Sequence, residues 1–305
     1  MKQAHSSIWP ATLRAREALT FYLFLTPWLL GFVLFTIGPI LASAALSFTQ
    51  YDIVTPPRAI GVANYHDLFA SDRLFGVSLY NTEYYVLFFV PLQIALSLAL
   101  ALLLNLPVHG IPIYRTMFYI PSIVPAVANS ILWIWIFQPQ WGLLNYGLSL
   151  LGVEGPLWLS SVEWSKPSLI LMSLWGSGGS MIIFLAGLQG IPQHLYEAAE
   201  LDGANRWRRF WHVTLPMLTP TTFFVLVLGV IGSFQVFTQA YIMTGGGPAN
   251  STLFYMLYLY RRAFVFQNMG YASAMAWILF VIIFLLTVVQ FAAARRWVYY
   301  EGERR

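Results

Sequence analysis

The chain has 305 residues, of which 58% are hydrophobic and 9% charged, and its formal net charge is +4. Because an ordinary soluble protein carries about 25% charged residues, this composition excludes a soluble globular domain and indicates an integral membrane protein. Cysteine is absent, which excludes both a disulfide framework and a thiolate metal site.

Six uncharged intervals run along the chain, each long enough for one membrane-spanning helix of roughly 20 residues. They predict transmembrane helices near residues 20–46, 85–104, 117–137, 168–188, 218–242 and 271–292. The continuous apolar character favours helices over a barrel, whose strands would alternate lipid-facing and lumen-facing residues. We therefore expect an all-α integral membrane protein with six transmembrane helices. The first apolar stretch is too long for a cleaved signal peptide and is expected to remain as a span.

The basic residues predict the orientation of these spans, because Lys and Arg are retained on the cytoplasmic side. With the N-terminus inside, eleven fall in the inner segments: Lys2, Arg14, Arg16, Arg115, Arg206, Arg208, Arg209, Arg295, Arg296, Arg304 and Arg305. Five fall in the outer loops: Arg58, Arg73, Lys166, Arg261 and Arg262. Both termini are therefore expected in the cytoplasm. The basic residues are interpreted as membrane anchors and not as a surface for nucleic acid.

A polar loop between the fourth and fifth spans, residues 190–216, is expected on the cytoplasmic side. It is predicted to form two short helices with a break at Gly203, since glycine is favoured where a helix ends in a left-handed conformation. Asn205 is placed to cap the second helix. Leu215 and Pro216 are expected to end that helix and to start the fifth span.

The first helix of this loop has the chemistry of a docking element. Leu195, Ala198 and Ala199 offer a small, weakly apolar face that permits close approach to another protein. Its acids can accept charge-assisted hydrogen bonds; they are Glu197, Glu200 and Asp202. The alternative is an amphipathic helix that rests on lipid headgroups. That alternative suits the second half, which is rich in arginine and tryptophan, but an anionic leaflet would repel the three acids of the first half.

The spacing within the loop matches a known family. A Glu-Ala-Ala run begins at Glu197, glycine follows at Gly203, and aliphatic Val213 precedes Leu215 and Pro216. This spacing is the signature of the membrane-spanning subunits of bacterial ATP-binding-cassette importers, with valine where isoleucine is commoner. Six spans and two further motifs make the chain resemble the maltose-type carbohydrate permeases: Tyr114-Arg115-Thr116 and Gly245-Gly246-Gly247-Pro248.

The resemblance implies the fold of a type I importer transmembrane domain, with a permease core over residues 78–292. Residues 1–77 would add a cytoplasmic arm, the first span and an outer loop, and residues 293–305 a cytoplasmic tail. It also implies a bacterial inner membrane location and the partners of such a permease. These are the lipid bilayer, a second permease subunit, two ATPase subunits that hold ATP and magnesium, and an extracytoplasmic solute-binding protein. The residues expected to couple to the ATPase are Glu197, Ala198, Ala199, Asp202, Gly203, Leu215 and Pro216.

The chain itself lacks the loop that would hold ATP phosphates. Its two lysines, Lys2 and Lys166, lie outside any Gly-x-x-x-x-Gly-Lys-Ser/Thr sequence. A non-catalytic transport subunit that binds no cofactor is therefore expected. An ion-coupled carrier is the alternative from another class, but such carriers place costly ionisable residues within their spans, and the six predicted spans contain none.

Uncharged polar and aromatic side chains within the spans are candidates for the substrate path: Asn129, Trp175, Gln235, Thr238 and Gln239. Hydrogen-bonding groups beside aromatic faces suit a sugar, which presents hydroxyls and apolar ring faces. The alternative for each polar residue is a hydrogen bond between helices. Gln235 and Gln239 are expected one turn apart on the fifth helix.

Two arginines of the last outer loop, Arg261 and Arg262, raise a second substrate class. Glycerol phosphate or a related polyol compound would need a cation on its path, and these residues could supply it at the outer mouth. They could equally dock the solute-binding protein. Because the predicted spans hold no positive charge, a neutral sugar is the favoured substrate.

Overall fold

The computed structural model describes residues 13–299, without the side chain of Arg14. Basic residues that contributed to the orientation prediction, and most of the predicted N-terminal arm, lie outside the described residues; these basic residues are Lys2, Arg304 and Arg305. The described chain is mostly helical, as predicted. Its helices are α1 Leu13–Phe32, α2 Gly38–Leu46, α3 Ala63–Ala70, α4 Arg73–Leu104, α5 Ile111–Ile123, α6 Ala126–Ile136, α7 Leu143–Ser149, α8 Val162–Trp175, α9 Gly178–Gln189, α10 Gln193–Leu201, α11 Arg206–Arg209, α12 Leu215–Met217, α13 Thr219–Phe234, α14 Tyr255–Tyr260 and α15 Met269–Trp297.

Short irregular elements join these helices. Five-residue π-helical segments occupy Val33–Ile37, Phe210–Thr214, Ala240–Thr244 and Arg261–Val265. Two strands, β1 Thr49–Gln50 and β2 Arg58–Ala59, pair in antiparallel fashion with Thr49 opposite Ala59.

Within residues 13–299, three helical stretches are long and apolar enough to cross a membrane: Ala15–Leu46, Arg73–Leu104 and Met269–Trp297. Three bent pairs pass the same test together: Ile111–Ile123 with Ala126–Ile136, Val162–Trp175 with Gly178–Gln189, and Arg206–Met217 with Thr219–Phe234. If each pair is one span, the chain has the six spans that the uncharged intervals predicted.

The third and fourth spans are broken, so the prediction of one continuous helix at each is wrong. The third bends by 99° between α5 and α6, because Val124 is extended ahead of Pro125 and a residue before proline avoids the helical conformation. The fourth bends by 49° where α8 meets α9. Gly178 there permits a close approach of α9 to α5, since a Cβ at this position would lie 2.3 Å from the carbonyl oxygen of Phe118.

The fifth span departs furthest from its prediction. The helices on either side of Leu218 meet at 60°, and Pro220 occupies the first turn of α13. α13 then ends at Phe234, and residues 235–237 are not helical. The continuous helix predicted over residues 218–242 is therefore wrong, because a hydropathy pattern reports apolar content and not the direction of the backbone.

The central helix of the bundle is α4, which packs against α8, α9, α13 and α14. It begins at Arg73, well before the predicted start at residue 85. Asp72 caps it by accepting hydrogen bonds from the N–H groups of Leu74 and Phe75, at 3.0 and 3.2 Å. Side-chain oxygens at this position satisfy helix donors that would otherwise have no partner.

Two apolar clusters fill opposite ends of the bundle. The larger cluster includes Tyr255 and Met275, and the smaller one includes Leu188 and Leu218. We call the end that holds β1, β2, α3 and α14 the hairpin end, and the end that holds α10 the α10 end.

The first span is the least packed part of the bundle. No residue of its most apolar stretch is buried within the part of the chain that the structure describes. Its second half is attached to the bundle, where α2 packs against α15 and the Trp277 indole N–H donates to Ser43 Oγ at 3.2 Å. The remaining apolar surface of α1 requires lipid or another chain to cover it.

Candidate functional site

The first helix of the polar loop, α10, ends as the sequence predicted. Gly203 adopts a left-handed conformation with φ of +75°. Its N–H donates to the Glu200 carbonyl at 3.0 Å, and the Ala204 N–H donates to the Ala199 carbonyl at 2.9 Å. This pair of bonds forms a Schellman motif, which satisfies the last helix carbonyls. A Cβ on Gly203 would meet no atom within 4 Å, so glycine is needed here for its backbone freedom and not for space.

One face of α10 is fastened to the rest of the chain. Leu195 and Tyr196 pack against the smaller apolar cluster. The Tyr196 hydroxyl shares a hydrogen bond of 3.0 Å with Thr214 Oγ1, and Glu200 forms an ion pair with Arg209. The helix is therefore held against the segment that leads into the fifth span.

The opposite face of α10 is open. His194, Glu197, Ala198 and Leu201 are exposed and recur at the spacing that places side chains on one side of a helix. Leu201 is 90% exposed. These four residues form a stripe, which we call the α10 stripe. Its apolar members, Ala198 and Leu201, lie beside Glu197.

The sequence predicted that Leu195, Ala198 and Ala199 together form the apolar face that docks. The structure does not place all three on the open side of α10, so this prediction is wrong. Leu195 packs inward and Ala199 is half-buried, so Ala198 alone of the three lies on the α10 stripe. Sequence reasoning missed Leu201, because it sits next to the helix end. Its spacing of four residues from Glu197 was the signal that could have found it.

The second half of the loop is helical up to the bend of the fifth span. Asn205 caps α11 as predicted, accepting a hydrogen bond of 2.9 Å from the Arg208 N–H. The chain then remains helical through Met217, so the predicted end of this element at Leu215 and Pro216 is met to within one residue. The break falls at Leu218. An unbroken helical path therefore joins the loop to the bend of the fifth span.

The arginine- and tryptophan-rich part of this path faces outward. Trp207 and Trp211 are exposed, and their rings contact each other at 5.7 Å. Indole rings with neighbouring arginines are typical of helices that rest in lipid headgroups. The division of the loop into a docking half and a membrane-surface half stays a prediction, since both halves carry exposed residues.

Of the predicted substrate-path residues, Asn129 and Trp175 lie near the bends of the third and fourth spans. Trp175 ends α8, and its ring contacts that of Trp133 on α6 at a centroid distance of 5.9 Å. Asn129 Oδ1 and Trp133 Nε1 are both buried, and neither has a hydrogen-bond partner among the described residues. A buried acceptor and a buried donor, one turn apart, call for a partner that the bundle does not supply. Sequence reasoning missed Trp133.

The other predicted path residues lie at the break after α13. Gln235 and Gln239 are not one turn apart on a continuous helix, which corrects that prediction. Gln235 is exposed, and its amide donates to the Ile231 carbonyl at 3.1 Å. Thr238 and Gln239 are half-buried.

A cluster at the hairpin end binds the arginine that sequence reasoning assigned to a substrate or a binding protein. Asp72 Oδ2 accepts hydrogen bonds from Tyr258 at 2.5 Å, Tyr271 at 2.6 Å and the Arg262 guanidinium at 2.9 Å. Arg262 also donates to the Tyr258 hydroxyl at 2.8 Å. Arg261 donates to the Gly245 carbonyl. We call Asp72, Tyr258, Arg262 and Tyr271 the Asp72 cluster.

The electrostatics of this cluster keep Asp72 ionised. Burial opposes the charge, but the hydrogen bonds from Tyr258, Tyr271 and the Phe75 backbone and the charge of Arg262 outweigh it, so the pKa of Asp72 lies below its usual value of 3.8. Burial and the hydrogen bond to Asp72 raise the pKa of Tyr258 to about 12. The Arg262 guanidinium is therefore paired within the chain, and its roles in phosphate binding or in docking stay predictions.

Ionisable residues lie inside the observed helices, which are longer than the predicted spans, and two of them lie well within the sequence of their helices. Glu83 lies in α4 and Lys166 in α8. The Lys166 ammonium donates to Asn81 Oδ1 at 3.0 Å and lies 4.8 Å from the ring centroid of Tyr84. The expectation that the spans contain no ionisable residue therefore holds for the predicted bounds but not for the observed ones.

Comparison with known proteins gives consistent matches along the chain. The family model described as "Binding-protein-dependent transport system inner membrane component" matches residues 93–299. The probable ABC transporter permease protein YesP of Bacillus subtilis is 45% identical over 94% of this chain and 94% of its own. The lactose transport system permease protein LacF of Rhizobium radiobacter is 36% identical over 90% of this chain and 93% of its own.

A solved structure shares the fold. It is a chain in the crystal structure of a bacterial ABC transporter involved in the import of the acidic polysaccharide alginate. The superposition has a TM-score of 0.80 at 24% identity and covers 93% of this chain and 97% of that chain. The bent spans and the central α4 therefore belong to an architecture already seen in an ABC transporter.

Proposed function

The chain belongs to the family of binding-protein-dependent transport system inner membrane components, and from this premise we propose that it is a sugar importer permease that docks on an ATPase subunit through α10. Family membership confirms the resemblance drawn from the Glu-Ala-Ala spacing. The ATPase contact, the residues that make it and the sugar are the parts proposed here.

The docking proposal rests on the difference between the two faces of α10. Leu195 and Tyr196 fasten one face to the chain, whereas Glu197, Ala198 and Leu201 leave the other face open. Burying a leucine side chain gains about 1.5–3 kcal/mol relative to leaving it in water. A partner surface that covers Leu201 therefore gains that energy, and Glu197 beside it can accept charge-assisted hydrogen bonds from the partner.

The remaining coupling residues have supporting roles. Ala198 permits close approach, Ala199 lies at the boundary with the chain, and Asp202 with Gly203 forms the turn that ends α10. Leu215 and Pro216 lie on the helical path to Leu218 and would transmit movement to the fifth span. Rigid movement of packed elements is a common form of switching. It is driven only if the ATPase binds α10 with different affinity in two states.

The orientation proposal places the α10 end in the cytoplasm, together with both termini. Described basic residues at this end support it, since Lys and Arg favour the cytoplasmic side; they are Arg16, Arg115, Arg206, Arg208, Arg209, Arg295 and Arg296. ATP and magnesium would then be held by two ATPase subunits, and this chain would bind neither. The division into residues 1–77, 78–292 and 293–305 stays a prediction.

A second permease subunit is proposed as the neighbour of the first span. The most apolar stretch of that span is unburied within the described residues. A helix with this much open apolar surface fits beside another transmembrane chain, in addition to lipid. The solute-binding protein is placed at the hairpin end, opposite the ATPase.

A sugar is the proposed substrate. The LacF relative is a lactose permease by its name. In this chain, Asn129 Oδ1 and Trp133 Nε1 provide an unpaired acceptor and an unpaired donor beside the Trp175 ring. Sugar hydroxyls can pair with both groups while the ring packs on indole. Glycerol phosphate is disfavoured, because Arg262 is bound to Asp72.

The docking proposal predicts that Glu197→Lys and Gly203→Val lower the amount of ATPase recovered with the permease by more than about tenfold, a loss of ~1.4 kcal/mol or more. The first change reverses a charge on the α10 stripe. The second forces a β-branched residue into a left-handed turn. Co-purification from membranes, with uptake of the transported sugar, measures both effects.

Glu17→Lys is the matched control, since it makes the same charge change near the start of α1 and outside the loop. It should leave ATPase recovery unchanged. Normal ATPase recovery and normal uptake in both loop variants would overturn the docking proposal.

A further inference from the structure

The loop between α6 and α8 folds around a cavity that no predicted function uses. The cavity has a volume of about 750 Å³, within the range of roughly 300–1,000 Å³ that small-molecule sites occupy. It lies at the hairpin end, beyond the bent helices. The side chains that matter here line it together: Gln140, Trp141, Tyr146, Ser149 and Glu154.

Hydrogen bonds hold this loop in shape. The Asn145 amide donates to the carbonyl groups of Pro139 and Pro156, at 3.0 and 3.3 Å, and so joins the two sides of the loop. Asn145 Oδ1 accepts a hydrogen bond of 2.6 Å from the Trp158 indole N–H. The Trp158 ring contacts Phe137 at 5.5 Å, which ties the loop to the larger apolar cluster. Asn145 is fully used in this framework and is not free to bind a ligand.

Two close approaches add to the rigidity of the cavity wall. A Cβ at Gly155 would lie 2.0 Å from Asn145 Oδ1, and one at Gly142 would lie 2.3 Å from the Gln138 carbonyl oxygen. Neither position accepts a side chain without movement of its neighbour. The cavity is therefore formed before any ligand arrives, which lowers the ordering cost of binding.

Two aromatic side chains of the cavity are open to solvent. Trp141 and Tyr146 are each 62% exposed. The neighbouring leucines do not line the cavity and are exposed elsewhere on the loop; they are Leu143, Leu150 and Leu151. Contact with lipid or another subunit accounts for those leucines, but it does not explain why two aromatic rings share a cavity with Gln140, Ser149 and Glu154.

We infer that this cavity binds the ring of a neutral sugar at the hairpin end of the permease. The negative face of an aromatic ring attracts the C–H face of a sugar. Gln140 and Ser149 supply both donors and acceptors for hydroxyls, and Glu154 supplies acceptors. The residues lining the cavity include an acid and no Lys or Arg, so like charge opposes an anionic sugar. The inference rests on the proposed function in two respects: the hairpin end lies outside the cell, and the ligand is a sugar.

The test is fluorine NMR on the full-length permease labelled with 5-fluorotryptophan. The Trp141 signal is assigned by its loss in Trp141→Phe, and the other signals report that this variant is folded. D-Galactose and D-galacturonate are the matched probes, because they share a ring and differ in charge. D-Glucose and L-rhamnose extend the neutral set. The Trp141 signal should move in a saturable way with a neutral sugar and not with galacturonate.

Variants of the cavity should weaken this response. Tyr146→Ala should lower the affinity about fivefold, which corresponds to ~1 kcal/mol. Trp28→Phe, on α1 and 62% exposed like Trp141, should leave it unchanged. The inference is overturned if no neutral sugar moves the Trp141 signal. It is also overturned if galacturonate shifts the Trp141 signal as much as a neutral sugar does. A third contradicting result is a signal that shifts on transfer from detergent to lipid nanodiscs but not on addition of sugar.

The outcomes separate this site from the proposed function. If Trp141 does not respond while the assembled transporter still imports a sugar, this inference fails and the proposed function stands. If Trp141 responds as expected but Glu197→Lys retains its ATPase and its uptake, the docking proposal fails and this site stands.

Discussion

Two acidic residues at opposite ends of the bundle, Asp72 and Glu197, differ in how their charges are met. At the hairpin end, the Asp72 side chain is 7% exposed and bound by Tyr258, Tyr271 and Arg262. At the α10 end, Glu197 is exposed and forms no hydrogen bond or ion pair with the described residues. The comparison indicates that a charge satisfied within the chain stabilises the fold, whereas a charge left open is available to a partner.

The same contrast extends to the surrounding structure. Asp72 joins the start of α4 to α14, to the π-helical segment that follows it and to the start of α15, so it fixes elements far apart in sequence. Glu197 joins nothing, but its helix is held firmly through the opposite face by Tyr196 and Glu200. A rigid support with an open face is suited to transmitting a push.

Neutralising Asp72 tests the acid whose charge is satisfied within the chain. This change should have the largest effect on the stability of the permease. Asp72→Asn keeps one side-chain oxygen for the helix cap. Its other polar group becomes an NH2 donor that faces the three donors Tyr258, Tyr271 and Arg262. The cost should be about 3 kcal/mol, since removal of one member of a buried ion pair is strongly destabilising. Thermal unfolding of the purified permease in detergent measures it.

Asp67→Asn is the control for that measurement. Asp67 is 61% exposed, and its carboxylate lies 3.5 Å from His66 Nδ1. An exposed pair contributes little, so the change should stay within about 0.5 kcal/mol. Equal losses of stability in the two variants would show that the contacts of Asp72 stabilise the fold no more than those of an exposed acid.

The pH dependence of stability should follow from the same carboxylate. Because the pKa of Asp72 is lowered in the fold, its contribution is complete above the ordinary value of 3.8 and is lost as pH falls through the lower folded value. The stability difference between the parent chain and Asp72→Asn should therefore be constant from neutral pH to about pH 5 and shrink in stronger acid. A difference that already shrinks between neutral pH and pH 5 would contradict the pKa shift.

Removing the exposed Leu201 side chain tests the open face of α10. Its effect should be smaller than that of Asp72→Asn. Leu201→Ser should weaken ATPase binding about tenfold, or ~1.5 kcal/mol, because the partner loses the burial of one leucine. The thermal midpoint of the permease alone should not change, since the side chain is 90% exposed. Binding is measured by titrating the purified ATPase onto the permease.

Leu195→Ser provides the reciprocal control on the same helix. Leu195 packs against the smaller apolar cluster, so this change should lower the stability of the permease itself. If Leu201→Ser destabilises the isolated permease as much as Leu195→Ser does, the two faces of α10 do not differ as described.

Local sequence patterns predicted much of this molecule, and long-range contacts explain the rest. Six uncharged intervals located the spans, and Gly203 and Asn205 marked helix ends, because each signal lies within a few residues. The bends at Val124 and Leu218 were missed, since hydropathy carries no information on direction.

The partners of distant residues were missed for a related reason. Arg262 meets Asp72 across most of the chain, and no local pattern contains that pair. Trp133 pairs with Trp175 only after two bent spans fold together. Leu201 was overlooked because its exposure depends on which face of α10 packs inward, and the pattern alone favoured Leu195 as the apolar contact.

The most direct test of the open face is chemical labelling of a single cysteine at Ala198. The chain contains no cysteine, so Ala198→Cys introduces the sole thiol. In the permease alone, a water-soluble maleimide should label it rapidly. In the assembled transporter the ATPase should protect it, while Asp67→Cys at the hairpin end is labelled equally in both states. Equal labelling of Ala198→Cys with and without the ATPase would contradict the claim that α10 docks there.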